Sequence, residues 1–286
     1  MDFPRSAPIS LPCVNAETFR SSRLAGADNK AMSFCKLCES EAKLIHAHVI
    51  PRSFWEIDFS QPAPRLVTNT LGIYPKKAPI GVYDQTILCE PCERTFGEYD
   101  SYAANLLLNR TNEFEPVRDE TGKLTGYVIT DYNYRLLKLF AIAVLWRAAA
   151  SSHEFFRKVR IGPFEEKARR MLIGGDPGDA GTFSTLFSIW DDAEWPVIMD
   201  PFPERWSEVR AYRFYLGRFA LYVKVDRRSL PDPLSQAALS LDGPLNLISR
   251  QLLQSNDFRV IQHILNARMP FYKKNNYSVG LGLRVA

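Results

Sequence analysis

The stretch "CKLCESEAKLIHAHVIP" at residues 35–51 has a counterpart downstream in "LCEPCERTFGEY" at residues 88–99. Each stretch contains two cysteines separated by two residues. That gap lets both sulfurs of one turn reach the same ion at about 2.3 Å, and two such pairs complete a tetrahedron of thiolates. The sequence therefore predicts one structural Zn²⁺ held by Cys35, Cys38, Cys89 and Cys92.

The cysteine count and the amino-terminal sequence favour a cytoplasmic protein. The chain has 286 residues and only five cysteines, four of which are in the two pairs, so a secreted disulfide framework is not expected. Cys13, the fifth, lies in a Pro- and Ser-rich leader. The first residues lack the apolar run of a signal peptide, and Lys138 and Arg147 interrupt the most apolar helical stretch, so no membrane association is expected.

Changes in composition divide the chain into segments. Residues 1–32 carry no clear period and are predicted to form a mobile arm. Residues 33–110 contain both cysteine pairs and form the predicted zinc module, with the Pro-rich residues 61–80 as a surface insertion between the pairs. Residues 131–286 form a larger region of helices and strands.

Hydrophobic periodicity predicts the elements of the larger region. Helices are expected at 132–150, capped by Asp131 and with one buried apolar face, and at 163–173, ended by Gly174 and Gly175. Further helices are expected at 245–254 and 256–267, the second capped by Ser255. Strands are expected at 183–190 and 195–199, and as a hairpin of 210–216 with 219–225.

The order of parts around the cysteines is typical of a treble clef. Cys35 and Cys38 form a knuckle, a β-hairpin follows, and Cys92 lies in the first turn of a helix on which Phe96, Tyr99 and Ala103 recur at helical spacing. His48, in "HVIP", falls on the hairpin strand that faces this helix. Strand alternation places His46 on the same face as His48.

The pattern C-x2-C, AHVIP, LC-x2-C resembles the HNH nuclease family over residues 35 to about 100. The resemblance implies a ββα-metal fold framed by zinc, so the predicted class is α+β: an N-terminal HNH-like ββα zinc module followed by a larger region of helices and antiparallel strands. Downstream sequence also resembles a bacterial group that carries this head, some members of which are similar to components of antiphage defence loci.

The resemblance also implies roles for individual residues. His48 corresponds to the general base, which needs a neutral imidazole beside the phosphate. Glu93 stands where the family usually has a His after the second cysteine pair, and it could bind Mg²⁺ or Mn²⁺ as the catalytic cation. Ala47, however, stands where the family usually has a metal-binding Asp or His. Asp84, Glu98 and His46 are the other nearby candidates.

The distribution of charge along the chain is relevant to whether it binds nucleic acid. The formal net charge is only +4, but residues 135–170 contain nine basic and three acidic residues. This stretch could position a nucleic-acid backbone or could be a solvated helix face. Arg147 in particular is either a buried ion-pair partner, which is preferred, or a phosphate contact.

Three functions follow from these observations. The favoured one is a metal-dependent endonuclease that hydrolyses DNA phosphodiester bonds, with His48 and Glu93 as catalytic residues. The second is a zinc module that binds nucleic acid or protein and has lost catalysis, as Ala47 suggests. The third is a structural subunit of a multiprotein system, so a protein partner or a second copy of the chain stays open.

Overall fold

The chain is described by a computed structural model, which covers residues 33–55, 81–192, 199–263 and 266. The predicted arm at 1–32 and insertion at 61–80 lie outside these residues, as does most of the predicted strand at 195–199. Within the described residues the strands are β1 Ser33–Phe34, β2 Glu41–Ala42, β3 Ala47–His48, β4 Tyr83–Asp84, β5 Glu115–Arg118, β6 Leu124–Ile129, β7 Thr185–Trp190, β8 Phe202–Trp206, β9 Val209–Leu216, β10 Phe219–Lys224 and β11 Leu245–Arg250. The helices are α1 Glu90–Ala104, α2 Tyr134–Ala150, α3 Phe164–Gly174 and α4 Leu234–Ala237, and residues 256–263 are also helical.

The largest sheet has seven strands in the order β5-β6-β11-β7-β10-β9-β8. Neighbouring strands are antiparallel except for β11 and β7, which run parallel. Two small antiparallel pairs, β1 with β2 and β3 with β4, belong to the cysteine-containing segment. Mixed helix and strand content of this kind confirms the α+β class.

Helix α2 lies at the centre of the molecule. Nearly all its side chains are buried, including Leu137, Ala141 and Leu145, which do not belong to the single apolar face predicted from the sequence. That prediction was wrong because α2 packs on α1 and α3 as well as on β10 of the large sheet. A helix that is apolar on all sides is one that is surrounded by protein.

The cysteine-containing segment and the larger region share one hydrophobic cluster. It includes Phe54 and Phe96 from the first, Phe140 and Trp146 from α2, and Phe214 from the sheet. The ring centroids of Phe54 and Phe140 are 5.7 Å apart, and those of Phe96 and Trp146 are 6.2 Å apart. The division at 110 and 131 stays a sequence-based prediction, but the two segments are stabilised by a common core.

Several elements end where the sequence predicts and others do not. The hairpin of β9 and β10 and the end of α3, where Gly175 has a φ of 58°, follow the prediction. Helix α2 is capped by Asn133, which accepts from the Leu136 N–H, and not by Asp131. Ser255 does cap the last helix, since its hydroxyl accepts from the Phe258 N–H.

The predicted helix at 245–254 is instead strand β11 and the turn that follows. Leu245 and Leu247 are buried, whereas Asn246 is only half-buried, a period of two that fits a strand. The strand pairs with β6 on one side and β7 on the other. Pairing on both edges of the segment outweighs the local helix propensity of its leucines.

Candidate metal centre and neighbouring site

The four paired cysteines converge on one point. Their Sγ atoms all lie within 4.8 Å of one another, and Cys35, Cys89 and Cys92 are buried. The Sγ atoms of Cys38 and Cys89 are 3.9 Å apart, far beyond a disulfide bond length of about 2.0 Å. Four sulfurs around one zinc ion at about 2.3 Å would be separated by about 3.8 Å, so this donor set fits Zn²⁺.

Main-chain hydrogen bonds hold the two halves of the cysteine cluster in register. The Cys89 N–H donates to the Cys35 Sγ at 3.4 Å, and the Lys36 N–H donates to the Ile87 carbonyl at 2.9 Å. Glu39, with a positive φ of 59°, closes the knuckle turn. Cys89 is the N-cap of α1, so Cys92 lies in its first turn, as predicted.

The thiols interact too closely to ionise independently. Hydrogen bonds from Cys92 and from neighbouring main-chain groups lower the pKa of Cys35 to about 4. Burial raises the pKa of Cys89 to about 12, and the hydrogen bond to Cys35 raises that of Cys92. A negative charge on one of these sulfurs therefore disfavours charge on its neighbours, and a divalent ion would stabilise the thiolates together.

The strand pair β3 and β4 separates an outer from an inner face beside the cluster. His48 lies directly opposite Tyr83, and the two ring centroids are 6.1 Å apart. His46 packs on the same Tyr83 ring at 4.8 Å, so His46 and His48 share a face, as strand alternation predicts. The outer face thus carries two imidazoles and a tyrosine.

The inner face of this strand pair offers no free ligand among the described residues. Ala47 is completely buried and lies opposite Asp84. The Asp84 carboxylate accepts hydrogen bonds from the main-chain N–H groups and hydroxyls of Thr86 and Ser152 and from the Ser151 hydroxyl. These donors hold the pKa of Asp84 well below its usual range, against the effect of burial. The hydrogen bonds of the Asp84 carboxylate therefore join β4 to the end of α2.

Glu93 lies in the first turn of α1, next to His48. Burial raises the pKa of its carboxyl, and Asp100 adds to this effect, while Arg147 and the main-chain N–H of His48 act in the opposite direction. Its Oε2 atom is buried and has no hydrogen-bond partner among the described residues. Native proteins rarely leave a buried carboxylate oxygen without a partner, so this atom is a candidate to hold a proton, a water or a cation.

Arg147 of α2 is the buried ion-pair partner that the sequence favoured. Its Nη1 and Nη2 each donate to a different oxygen of Asp100 at 2.7 Å, and its Nε donates to the Ala143 carbonyl. The guanidinium also lies over the Phe96 ring, 5.1 Å from its centroid. Asp100, two turns after Glu93 on α1, was not identified from the sequence, although a buried arginine requires a carboxylate nearby.

The remaining candidates take no part in this arrangement. Glu98 is exposed on α1, and the His46 Nδ1 is 3.1 Å from the Gln85 amide nitrogen. Several basic residues of the stretch at 135–170 are buried or paired: Lys138 is buried, Lys158 pairs with Asp200, and Arg169 pairs with Glu166.

An open groove of about 590 Å³ lies between the knuckle and the start of α3. It is lined by residues that include Phe34, Glu39, Glu165 and Arg169, and neither His48 nor Glu93 is among them. The groove is therefore separate from His48 and Glu93.

Comparisons with known proteins add no assignment. Neither a family model nor a curated protein nor a solved structure matches the chain. In the part of the chain that the structure describes, no helix has the length and apolarity needed to cross a lipid bilayer.

Proposed function

We propose that the cysteine-containing segment is an HNH-type, treble-clef nuclease module that hydrolyses phosphodiester bonds of DNA with the help of a divalent cation. The observation that carries this proposal is the contact between the His48 main chain and the Glu93 carboxylate, outside the cysteine cluster. The main-chain N–H of His48 lowers the pKa of the Glu93 carboxyl and so favours its charged form. The Oε2 atom of this carboxylate is buried and has no hydrogen-bond partner among the described residues.

The sequence of structural elements supports the same proposal. A knuckle with Cys35 and Cys38 precedes the β3 and β4 pair, and helix α1 with Cys89 at its N-cap and Cys92 in its first turn follows it. In such an arrangement Zn²⁺ bound by the cysteines would be structural, and it would fix β3 against α1. His48 and Glu93 would then be held by rigid elements.

In the proposed reaction the His48 imidazole acts as the general base. It accepts a proton from a water molecule whose oxygen forms a bond to phosphorus, while the bond from phosphorus to the leaving oxygen breaks. Mg²⁺ or Mn²⁺, when bound at Glu93, would supply charge stabilisation for the leaving oxygen. Glu93 and the outer-face imidazole thus have distinct duties, one toward a cation and one toward a proton.

The test is cleavage of plasmid DNA, and of single-stranded DNA beside it, by the full chain with added Mg²⁺ or Mn²⁺. His48→Ala is expected to lower the rate by about 10²- to 10⁴-fold, because a general base typically contributes that much. Glu93→Gln is expected to raise the Mg²⁺ concentration that supports half-maximal cleavage. The matched control is His263→Ala, since His263 is exposed on the last helix, far along the chain from the cysteine module.

Zinc content and the melting curve of each variant separate loss of the reaction from loss of the fold. Wild-type protein that retains zinc but cleaves DNA with neither cation would contradict the proposal. So would cleavage by His48→Ala at the wild-type rate.

One observation favours the second candidate, a zinc module that binds without cutting. Ala47 is completely buried, and the Asp84 carboxylate is saturated by donors from Thr86, Ser151 and Ser152. Among the described residues, Glu93 is then the single carboxylate left beside His48 for a catalytic cation. DNA binding without cleavage in the plasmid experiment would select this candidate.

A further inference from the structure

The outer face of the strand pair β3 and β4 carries an exposed tyrosine, Tyr83, that the proposed hydrolysis does not use. Tyr83 is 36% exposed, whereas most of the tyrosines in the core, such as Tyr99 and Tyr212, are almost fully buried. Its ring is flanked by His46 and by His48, with centroid distances of 4.8 Å and 6.1 Å. We define these three residues as the outer-face triad.

We propose that the outer-face triad stacks against an unpaired nucleobase, so that the substrate enters the site as single-stranded nucleic acid. This inference rests on the proposed function, and it adds the class of substrate. An exposed tyrosine on a strand surface is a stacking platform of the kind that single-strand-binding proteins use, because every base presents a π face. A base within a duplex has both faces covered by its neighbours and cannot stack there.

The position of Tyr83 gives the stacked base a defined relation to the reaction. Tyr83 is the direct cross-strand partner of His48, so a base on its ring would keep the adjoining phosphate near the His48 imidazole. His46, which is exposed and contacts the same ring, limits the angle at which a base can approach. Lys43 is exposed and precedes His46 by three residues in the sequence, so its positive charge would favour a phosphate backbone bound along this segment.

The tyrosine is also held in place by the fold. Asp84, the next residue, is hydrogen-bonded to Ser151 and Ser152 at the end of α2, which anchors the main chain of β4. On the other side, Gly81 has a φ of 84° and leaves no space for a Cβ, which would lie 2.6 Å from the Trp55 ring. A platform on anchored main chain loses little conformational entropy when a base stacks on it.

The test measures binding of the full chain to a labelled single-stranded oligonucleotide, with a duplex of the same length for comparison. Binding is measured without added Mg²⁺ or Mn²⁺, so that no cleavage is required. Tyr83→Leu is expected to weaken single-strand binding about 5- to 100-fold, the range for loss of one base stack, while Tyr83→Trp retains it. Phe34→Leu is the matched control, because Phe34 is an exposed aromatic residue on β1 that lies outside the triad.

Salt dependence distinguishes stacking from charge. Tyr83→Leu should leave the slope of log K against log salt concentration unchanged, whereas Lys43→Ala should reduce it. Equal weakening of duplex and single-strand binding by Tyr83→Leu, or no weakening of either, would overturn the inference, as would wild-type protein that binds no oligonucleotide. Tyrosine-dependent single-strand binding by a protein that cleaves nothing would support the inference and contradict only the proposed hydrolysis.

Discussion

The cysteine cluster and the seven-stranded sheet stabilise this protein by different means. Around the cysteines the strands are two residues long, and polar contacts such as those of Asp84 and Lys36 join the segment to the end of α2. In the sheet, β9 and β10 are almost completely buried, and apolar side chains such as Phe214 and Leu221 cover the face toward α2. A short element needs fixed ligands or caps, whereas a long buried strand is held by packing.

Removal of one cysteine ligand is expected to have the largest effect. Cys92→Ser should abolish cooperative unfolding of the whole protein, because zinc binding typically contributes about 10–16 kcal/mol to folding and the two regions share a core. Differential scanning calorimetry with elemental analysis checks this. Cys13→Ser, which changes the cysteine that belongs to neither Cys-x-x-Cys pair, serves as the control. A normal sheet transition in Cys92→Ser would show that the sheet folds independently of the metal.

Loss of the buried arginine should be the next largest effect. Arg147→Ala leaves the Asp100 carboxylate without its bidentate partner, and breaking a buried pair in this way costs about 3–5 kcal/mol. Urea unfolding measures the loss. The double variant Arg147→Met with Asp100→Leu should recover much of it, since no unpaired charge remains. Failure of the double variant to recover would indicate that the Arg147 contact with the Phe96 ring dominates.

The buried Lys138 should make stability depend on pH. Burial lowers the pKa of Lys138 to about 7; the charge of Asp179 opposes this shift and that of Lys224 adds to it. The Lys138 Nζ donates a hydrogen bond to the Phe183 carbonyl. The unfolded chain therefore binds more protons between about pH 7 and 10.5, so stability should rise with pH across that window. We expect a rise of about 2–3 kcal/mol, less than the full pKa difference implies, because a charged lysine can draw in water.

The variant Lys138→Met, compared with wild type, tests whether Lys138 causes this rise of stability with pH. It should be more stable than wild type at pH 7 and should flatten the dependence on pH, because Thr185 still donates to the Phe183 carbonyl. Urea unfolding at a series of pH values from 6.5 to 10 in roughly half-unit steps measures both properties. An unchanged slope in Lys138→Met would assign the effect to Lys224, whose pKa burial also lowers.

The smallest expected effect concerns Ser255, which caps the last helix after strand β11. Ser255→Ala removes the acceptor for the Phe258 N–H and should cost about 1 kcal/mol. Ser255→Asp should retain most of that stability, because a carboxylate oxygen can accept the same bond. Thermal unfolding of both variants checks this. A loss several times larger would mean that the last helix is essential to the sheet.

The sequence predicted those features that depend on local spacing. Short stretches of sequence reveal the two cysteine pairs, the first turn of α1 and the hairpin of β9 and β10. In each case the interacting residues are close in the chain or, for the cysteines, share the same metal-binding chemistry. Three features were not predictable in this way: strand β11, the Asp100 partner of Arg147, and the burial of Lys138. Each depends on segments distant in the chain that only the fold brings together.

The position of β11, late in the chain but between β6 and β7 in the sheet, has a consequence for synthesis on the ribosome. Strands β5 and β6 join the sheet through β11, which emerges more than a hundred residues after β6. Until then the hairpin of β5 and β6 has no neighbour within the sheet, and the open edge of β7 is available to any extended segment nearby. A chain stalled before Leu245 would therefore expose both edges, so we expect nascent chains of that length to depend on chaperones more than chains that include β11.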